Sequence, residues 1–308
     1  MSLYKKYRPK NFEEVIGNEG MVATIKSKFD SSTPFPQAVL FQGPTGCGKT
    51  TFGRILRDML GCLGQDYLEI NSANNRGIET ARLIMDGMKY LPMSPGGKCR
   101  IYLLDEVHQT SPDFQNALLK PLEDTPEHVY FILCTTDPTK LLATVRNRCT
   151  MFEVLPLTEN QLVSLMTWVL TEEGVFVDDY PAGALKQIAE VSSGCPRQAL
   201  VILDEIIDLP QDKVLAAIQD LRVADASIVD LCKALLTKQS WKRVNGILDK
   251  MDTSKPEGIR RAVTAWMSAE VKRSGNLQAA LIYDDFKKPF YDNGVNDLIM
   301  ACFKTCTM

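Results

Sequence analysis

The run Gly43-Pro44-Thr45-Gly46-Cys47-Gly48-Lys49-Thr50 has the spacing G-x-x-x-x-G-K-[ST]. That spacing suits phosphate binding. Glycines let successive backbone N–H groups turn inward around an anion, and a helix starting beside them adds partial positive charge. Lys49 is expected to reach the β- and γ-phosphates of ATP, the Thr50 hydroxyl to ligate Mg²⁺, and Thr51 to close the binding run. The plain alternative is a Gly-rich turn with no ligand. A second set follows, in which Ile101-Tyr102-Leu103-Leu104 runs straight into Asp105-Glu106. Asp105 is expected to hold the Mg²⁺ through water and Glu106 to polarise the attacking water. Acids often end strands at a surface, so it is the upstream loop that makes this pair specific.

These groups need elements that bring them to one edge of a sheet. Ala38–Phe41, Tyr67–Ile70, Ile101–Leu104 and Val129–Leu133 read as strands, and Thr50–Leu60, Ile78–Met88 and Pro112–Leu122 as helices. Near-continuous apolar strands alternating with helices predict an α/β domain with a parallel sheet covered on both faces. Loops at the carboxyl ends of such strands are where ligands bind. Pro121 falls inside the third helix, where it must kink or end it. After Leu157 the pattern becomes helical: Thr158 caps Glu159–Glu172, a second helix runs from Pro181 to near Gly194, and a third from Pro196 to Ile207, with Pro210 as a stop. The expected division is a nucleotide-binding domain over 1–155, a small helical lid over 156–209 and an all-helical C-terminal domain over 210–308.

Composition narrows the class. The 308 residues are 45% hydrophobic and 24% charged, ordinary for a globular protein, with formal net charge −3. A broad basic coat for nucleic acid is therefore not expected, although a few arginines and helix N-termini can still grip phosphates. Nine cysteines occur without any C-x-x-C pair, so they read as buried small hydrophobes. Trp168, Trp241 and Trp266 lie in helical runs and read as core, and lone His108 reads as structural. No apolar run approaches the ~18 residues that span a bilayer. The opening residues carry no apolar signal core, so no membrane partner and a cytoplasmic location are expected.

The chain resembles the AAA+ ATPases that load sliding clamps: the γ/τ subunit of bacterial replicative polymerase, the small subunits of replication factor C, and their phage counterparts. The residues that carry the resemblance are Asp105-Glu106-Val107-His108 with Gln115–Lys120, Tyr7-Arg8-Pro9 with Phe12 and Val15-Ile16-Gly17, and Leu68–Ala73 with Arg76-Gly77-Ile78. Thr135–Pro138, Asn147-Arg148-Cys149 and Gly194–Leu200 match further segments, so the likeness is specific over residues 4–200. It implies that Tyr7, Arg8, Pro9, Val15 and Ile16 pack around adenine and that Thr136 senses the γ-phosphate. It implies that Arg197 reaches the nucleotide from the lid, and that Arg148 is a finger on ATP held by a neighbouring subunit. Asn147 replaces the family's usual serine, and Arg146 offers a second candidate finger. Bacterial members carry a zinc module where this chain has only Gly61–Asp66.

The resemblance implies a subunit of a hetero-pentameric loader that uses ATP and Mg²⁺ to open a clamp and place it on primer–template DNA. The C-terminal domain would form its oligomerisation collar. The alternatives are another AAA+ motor, such as a branch-migration helicase or helicase loader, or an assembly subunit that binds nucleotide without turnover. Asn74, Asn75, Arg76 and Ser111, at two helix starts, are candidate DNA-backbone contacts. Met88, Tyr90, Leu91 and Met93 are either core at a helix end or the patch that docks on the clamp.

Overall fold

The computed structural model describes residues 1–176, 180–181, 183–251, 253, 256–288, 290 and 294–307. The chain divides into two compact units, Met1–Gln211 and Asp212–Met308.

In the first unit, strands β1 (Ala38–Gln42), β2 (Tyr67–Asn71), β3 (Arg100–Asp105), β4 (Val129–Thr135) and β5 (Thr150–Glu153) form one sheet in the order β2-β3-β4-β1-β5. Every pairing is parallel. Helices α1 (Leu3–Lys6) and α2 (Glu19–Asp30) precede β1. Helices α3 (Lys49–Met59), α4 (Ile78–Gly87), α5 (Pro112–Glu123) and α6 (Ala143–Arg146) follow β1 to β4 in turn. Alternate strand residues face opposite sides, as the pleat requires. Val39, Phe41, Ile101, Leu103 and Ile132 pack with Phe52, Ile55 and Leu56 of α3. Leu40, Tyr102, Leu104, Phe131 and Leu133 pack with Ile84 of α4 and Phe114 and Leu118 of α5. Both faces are dry, which is why the central strands read as unbroken apolar runs. A fully buried side chain such as Phe41 stabilises the fold by roughly 1.5–3 kcal/mol.

Four elements, the short helices α1 and α6 together with α2 and β5, were not among those expected. Strand β5 has only Phe152 buried, and Thr, Met and Glu around it carry little strand signal. Helix α2 buries only Ile25 of its 12 residues, so its apolar stripe is thin. Pro121 sits in the last turn of α5, which runs two residues further and ends at Glu123.

Helices α7 (Glu159–Glu172), α8 (Ala184–Val191) and α9 (Pro196–Ile206) complete the first unit. Thr158 caps α7 with a full capping box: its hydroxyl accepts from Gln161 N, and the Gln161 side chain accepts from Thr158 N. Residue 182, in the expected lead-in to α8, lies outside the described residues. The second unit holds α10 (Gln211–Leu236), α11 (Trp241–Leu248), α12 (Pro256–Ser274), α13 (Leu277–Phe286) and α14 (Val295–Thr307). Leu231, Leu235, Val244, Val263, Met267, Ile282, Phe286 and Leu298 form its core. Trp241 stands edge-on to Phe303 at 5.2 Å, and both Trp241 and Trp266 pack against this core.

Candidate nucleotide site

The phosphate-type loop leaves the carboxyl end of β1 and runs into α3. Gly43 has φ +152°, and a Cβ there would fall 2.2 Å from the Val154 carbonyl oxygen, so no other residue fits that first position. Lys49, the first residue of α3, is buried, and its ammonium donates to the carbonyls of Gly43 and Pro44 at 2.9 Å each. Burial pushes its pKa down, while the carboxylates of Glu106 and Asp105 pull it back up. The Thr50 hydroxyl donates to Asp105 Oδ2 at 2.8 Å. The loop and the acidic end of β3, which are 55 positions apart, therefore meet.

Glu106 follows in the left-handed region, φ 52° and ψ 41°. Such backbone strain is tolerated where surrounding structure holds a side chain in place. Thr136, just past β4, donates through Oγ1 to Glu106 Oε2 at 3.4 Å. His108, read from sequence as structural, is in the same group. Its Nδ1 lies 3.1 Å from Thr135 Oγ1 and 3.4 Å from Glu106 Oε2. Burial pushes the imidazole pKa down, more strongly than Glu106 raises it.

Tyr7, Arg8, Pro9, Val15 and Ile16 line one cleft together with Gly46, Cys47, Gly48, Thr51 and Arg197. Residues from the chain start, the phosphate-type loop and α9 are thus brought together. Burial pushes the Arg8 guanidinium pKa down, and the nearby cations Arg54 and Arg197 push the same way. Arg54 is held by a two-pronged pair with Glu69, at 2.7 and 3.0 Å. The Arg197 guanidinium lies 5.8 Å from the Tyr4 ring centroid. An apolar cleft rimmed by guanidiniums suits a ligand with a flat ring at one end and phosphates at the other.

Trp168 corrects one expectation. It is 41% exposed rather than core, lines this cleft, and stands edge-on to Tyr7 at 5.3 Å. Its one sequence clue is its place on a helix of the lid.

Arg148 is not part of this cleft. It donates to Glu123 Oε2 at 2.7 Å and to the Thr144 carbonyl at 3.0 Å. It lies two residues before Thr150, and Thr150 faces Val39 near the amino end of β1. The phosphate-type loop leaves the opposite, carboxyl end. Arg146 is the last residue of α6, two positions before Arg148, with Asn147 as the C-cap.

Two more candidate surfaces take shape. Gly77 starts α4, Ser111 caps α5 by accepting from Phe114 N, and Ser111 N donates to the Arg76 carbonyl at 3.1 Å. The two helix starts are therefore adjacent. Arg76 donates to the Ala73 carbonyl and to Gln109 Oε1. Of the apolar group before the Pro-Gly loop, Met88 is buried, but Tyr90, Leu91 and Met93 are 63%, 71% and 65% exposed. The core reading holds for Met88 alone.

The family described as DNA polymerase III, delta subunit, matches residues 64–158. The chain is 32% identical over 258 residues to the DNA polymerase III subunit gamma/tau of Mycobacterium tuberculosis, covering 75% of this chain and 43% of that one. It is 31% identical over 279 residues to the subunit tau of Bacillus subtilis, covering 83% and 48%. It thus spans under half the length of both relatives. With the shorter subunit gamma of Buchnera aphidicola subsp. Baizongia pistaciae it shares 32% over 317 residues, covering 91% of this chain and 84% of that one. Among solved structures, the Thermotoga maritima RuvB Holliday junction branch migration motor superposes with TM-score 0.59 at 19% identity. The superposition covers 79% of this chain and 85% of that one, and it establishes a shared fold.

Proposed function

This chain belongs to the DNA polymerase III gamma/tau family, within the AAA+ P-loop ATPases, and we propose that it is the ATP-hydrolysing subunit of a sliding-clamp loader. In this role it binds other loader subunits, uses ATP to open a ring-shaped clamp, and places the ring on primer–template DNA. The observation that carries the reading is the 2.8 Å contact from Thr50 to Asp105, beside buried Lys49. A hydroxyl and a carboxylate already in contact are hard oxygen donors of the kind Mg²⁺ takes, so the residues fit that ion. Bound there, it would neutralise charge on the β- and γ-phosphates.

The chain's own groups divide the remaining work. The cleft around Tyr7, Val15, Ile16 and Trp168 takes the base, and the loop N–H groups and Lys49 hold the phosphates. Glu106 orients a water for attack on the γ-phosphorus and receives its proton as the bridging P–O bond breaks. Thr136 and His108 hold that carboxylate in place. Arg197 approaches from α9, and Arg148 serves the ATP of a neighbouring subunit. The paired helix starts at Gly77 and Ser111 contact the DNA backbone without reading bases.

A branch-migration motor shares the fold, but nothing beyond the fold favours it. A subunit that binds nucleotide without turnover is disfavoured by the meeting of Lys49, Asp105 and Glu106 at one site. Two variants test the assignment. Lys49→Ala loses tight binding of a fluorescent ATP analogue, because the charge facing the phosphates is gone. Glu106→Gln keeps that binding and stops phosphate release, because an amide cannot take the proton. Wild-type hydrolysis by Glu106→Gln would remove Glu106 from the role. Stimulation of turnover by a clamp, and not by branched DNA, separates loader from branch-migration motor.

A further inference from the structure

Two thiols that the hydrolytic reading does not use meet at the phosphate-type loop. Cys195, which precedes α9, places its Sγ 3.5 Å from the Thr45 carbonyl oxygen. Cys47, inside the loop, places its Sγ 3.8 Å from that same oxygen and 3.9 Å from the Gly194 carbonyl. Gly46 makes the approach possible: a Cβ there would fall 2.4 Å from Cys195 Sγ and 3.3 Å from Arg197 Cβ. A side chain at 46 would be strained by the φ of +76°, would displace the Cys195 thiol and would crowd Arg197 Cβ. The contact joins segments 150 positions apart in sequence. The plain alternative is that two small hydrophobes fill a gap. Filling a gap does not require both sulfurs to converge on one carbonyl across a glycine.

We propose that Cys47 and Cys195 form a reversible disulfide, made by exchange with a small-molecule disulfide such as oxidised glutathione, that fastens α9 to the phosphate-type loop and shuts the cleft to nucleotide. This rests on the reading of that cleft as the nucleotide site. Cys195 is half-buried whereas Cys47 is buried, so Cys195 reacts first. Its thiolate attacks one sulfur of the small disulfide, whose S–S bond breaks and releases one glutathione thiolate. The thiolate of Cys47 then attacks the Cys195 sulfur of the mixed disulfide and releases the second. The protein gives up two electrons and two thiol protons, and the small disulfide is reduced to two thiols. Burial pushes the Cys47 thiol pKa up and Cys195 adds to this, while Lys49 draws it down, so Cys47 suits the second, resolving step. The bond would fix both walls of the cleft, because Cys47 and Arg197 each line it. Disulfides of this kind in reducing compartments are transient and regulatory.

The test uses the full chain. It is incubated with oxidised glutathione, blocked, digested and mapped by mass spectrometry, while free thiols are titrated. The expected result is a Cys47–Cys195 linked peptide and the loss of two of the nine thiols. Binding of a fluorescent ATP analogue falls in step with the linked fraction and returns on addition of dithiothreitol. Saturating ATP slows the linkage. Cys195→Ser, and Cys195→Ala as a second variant, bind nucleotide when reduced and keep binding after oxidation. Absence of the linked peptide, or a link between Cys62 and Cys99 in its place, overturns the proposal. So does a linked protein that binds nucleotide as well as the reduced one. Failure of the reduced protein to bind any nucleotide would instead sink the nucleotide reading, whatever the peptide map shows.

Discussion

His108 lies against Glu106 with its ring largely shielded, and its protonation is linked to folding. Burial lowers its folded-state pKa below the unfolded value of about 6.5. A base with a depressed folded pKa keeps its full contribution to stability above the unfolded pKa. It loses that contribution as pH falls towards the folded pKa, because the unfolded chain then binds the proton that the native site resists. Stability should therefore drop between about pH 7.5 and pH 5.5, and His108→Gln should flatten that part of the curve. Denaturant titrations at the two pH values check this, and an unchanged slope in the variant would remove His108 as its source. Sequence alone gave His108 only a structural reading, without partners, because a single histidine after an acidic pair has no spacing signal. Its partners, Thr135 and Glu106, come from two strand ends that only folding brings together.

At the scale of elements, the loop after α4 is held by one buried carboxylate. Asp66, fully shielded, accepts from Met93 N and Ser94 N at 2.9 and 2.7 Å, and from Arg100 Nη2 at 2.9 Å. Arg100 also donates to the Gly87 carbonyl that closes α4. Burial alone would raise the Asp66 pKa, but these donors outweigh it and hold the carboxyl well below the usual range. Its stabilisation is present above the unfolded pKa of about 3.9 and is lost as pH falls through the lower folded value. Asp66→Asn removes the charge facing Arg100 and should cost on the order of 3–5 kcal/mol at neutral pH, as broken buried pairs do. A neutral-pH melting midpoint equal to wild type would contradict this. The same latch carries exposed Tyr90, Leu91 and Met93. Replacing Tyr90 and Met93 with serine should abolish clamp-stimulated ATPase, spare basal turnover and leave the melting transition in place. A collapsed transition would mean that these side chains support the core.

For the whole molecule, the role proposed for Arg148 needs a second copy. This residue lies before β5, on the amino side of the sheet, whereas the phosphate-type loop leaves the carboxyl side of neighbouring β1. In the proposed reading it therefore acts on the ATP of a neighbouring subunit rather than on its own. Arg148→Ala should bind ATP normally and hydrolyse slowly in the assembly, with losses for such fingers of about 10³–10⁵ in rate. Mixing Arg148→Ala with Lys49→Ala should restore activity where an intact loop meets an intact finger. If the two dead proteins co-assemble and stay dead, Arg146 becomes the candidate for the same mixing test.

Taken alone, the sequence determines the phosphate-type loop, four of the five strands, the acidic pair and the capped helix after Thr158. Each of these is written in contiguous residues, through glycine spacing, apolar runs or a cap box. It also carries the family likeness, which rests on such local runs. Only the tertiary structure decides that Trp168 faces the cleft and not the core, that His108 reaches Glu106, and that Asp66 pins the loop at Met93 and Ser94. It likewise decides that Cys195 reaches the loop across Gly46. These contacts join segments tens of residues apart, and whether a side chain on a helix meets a cleft or a core depends on which neighbour packs over it. Local periodicity says which residues share a face, but not what that face will meet.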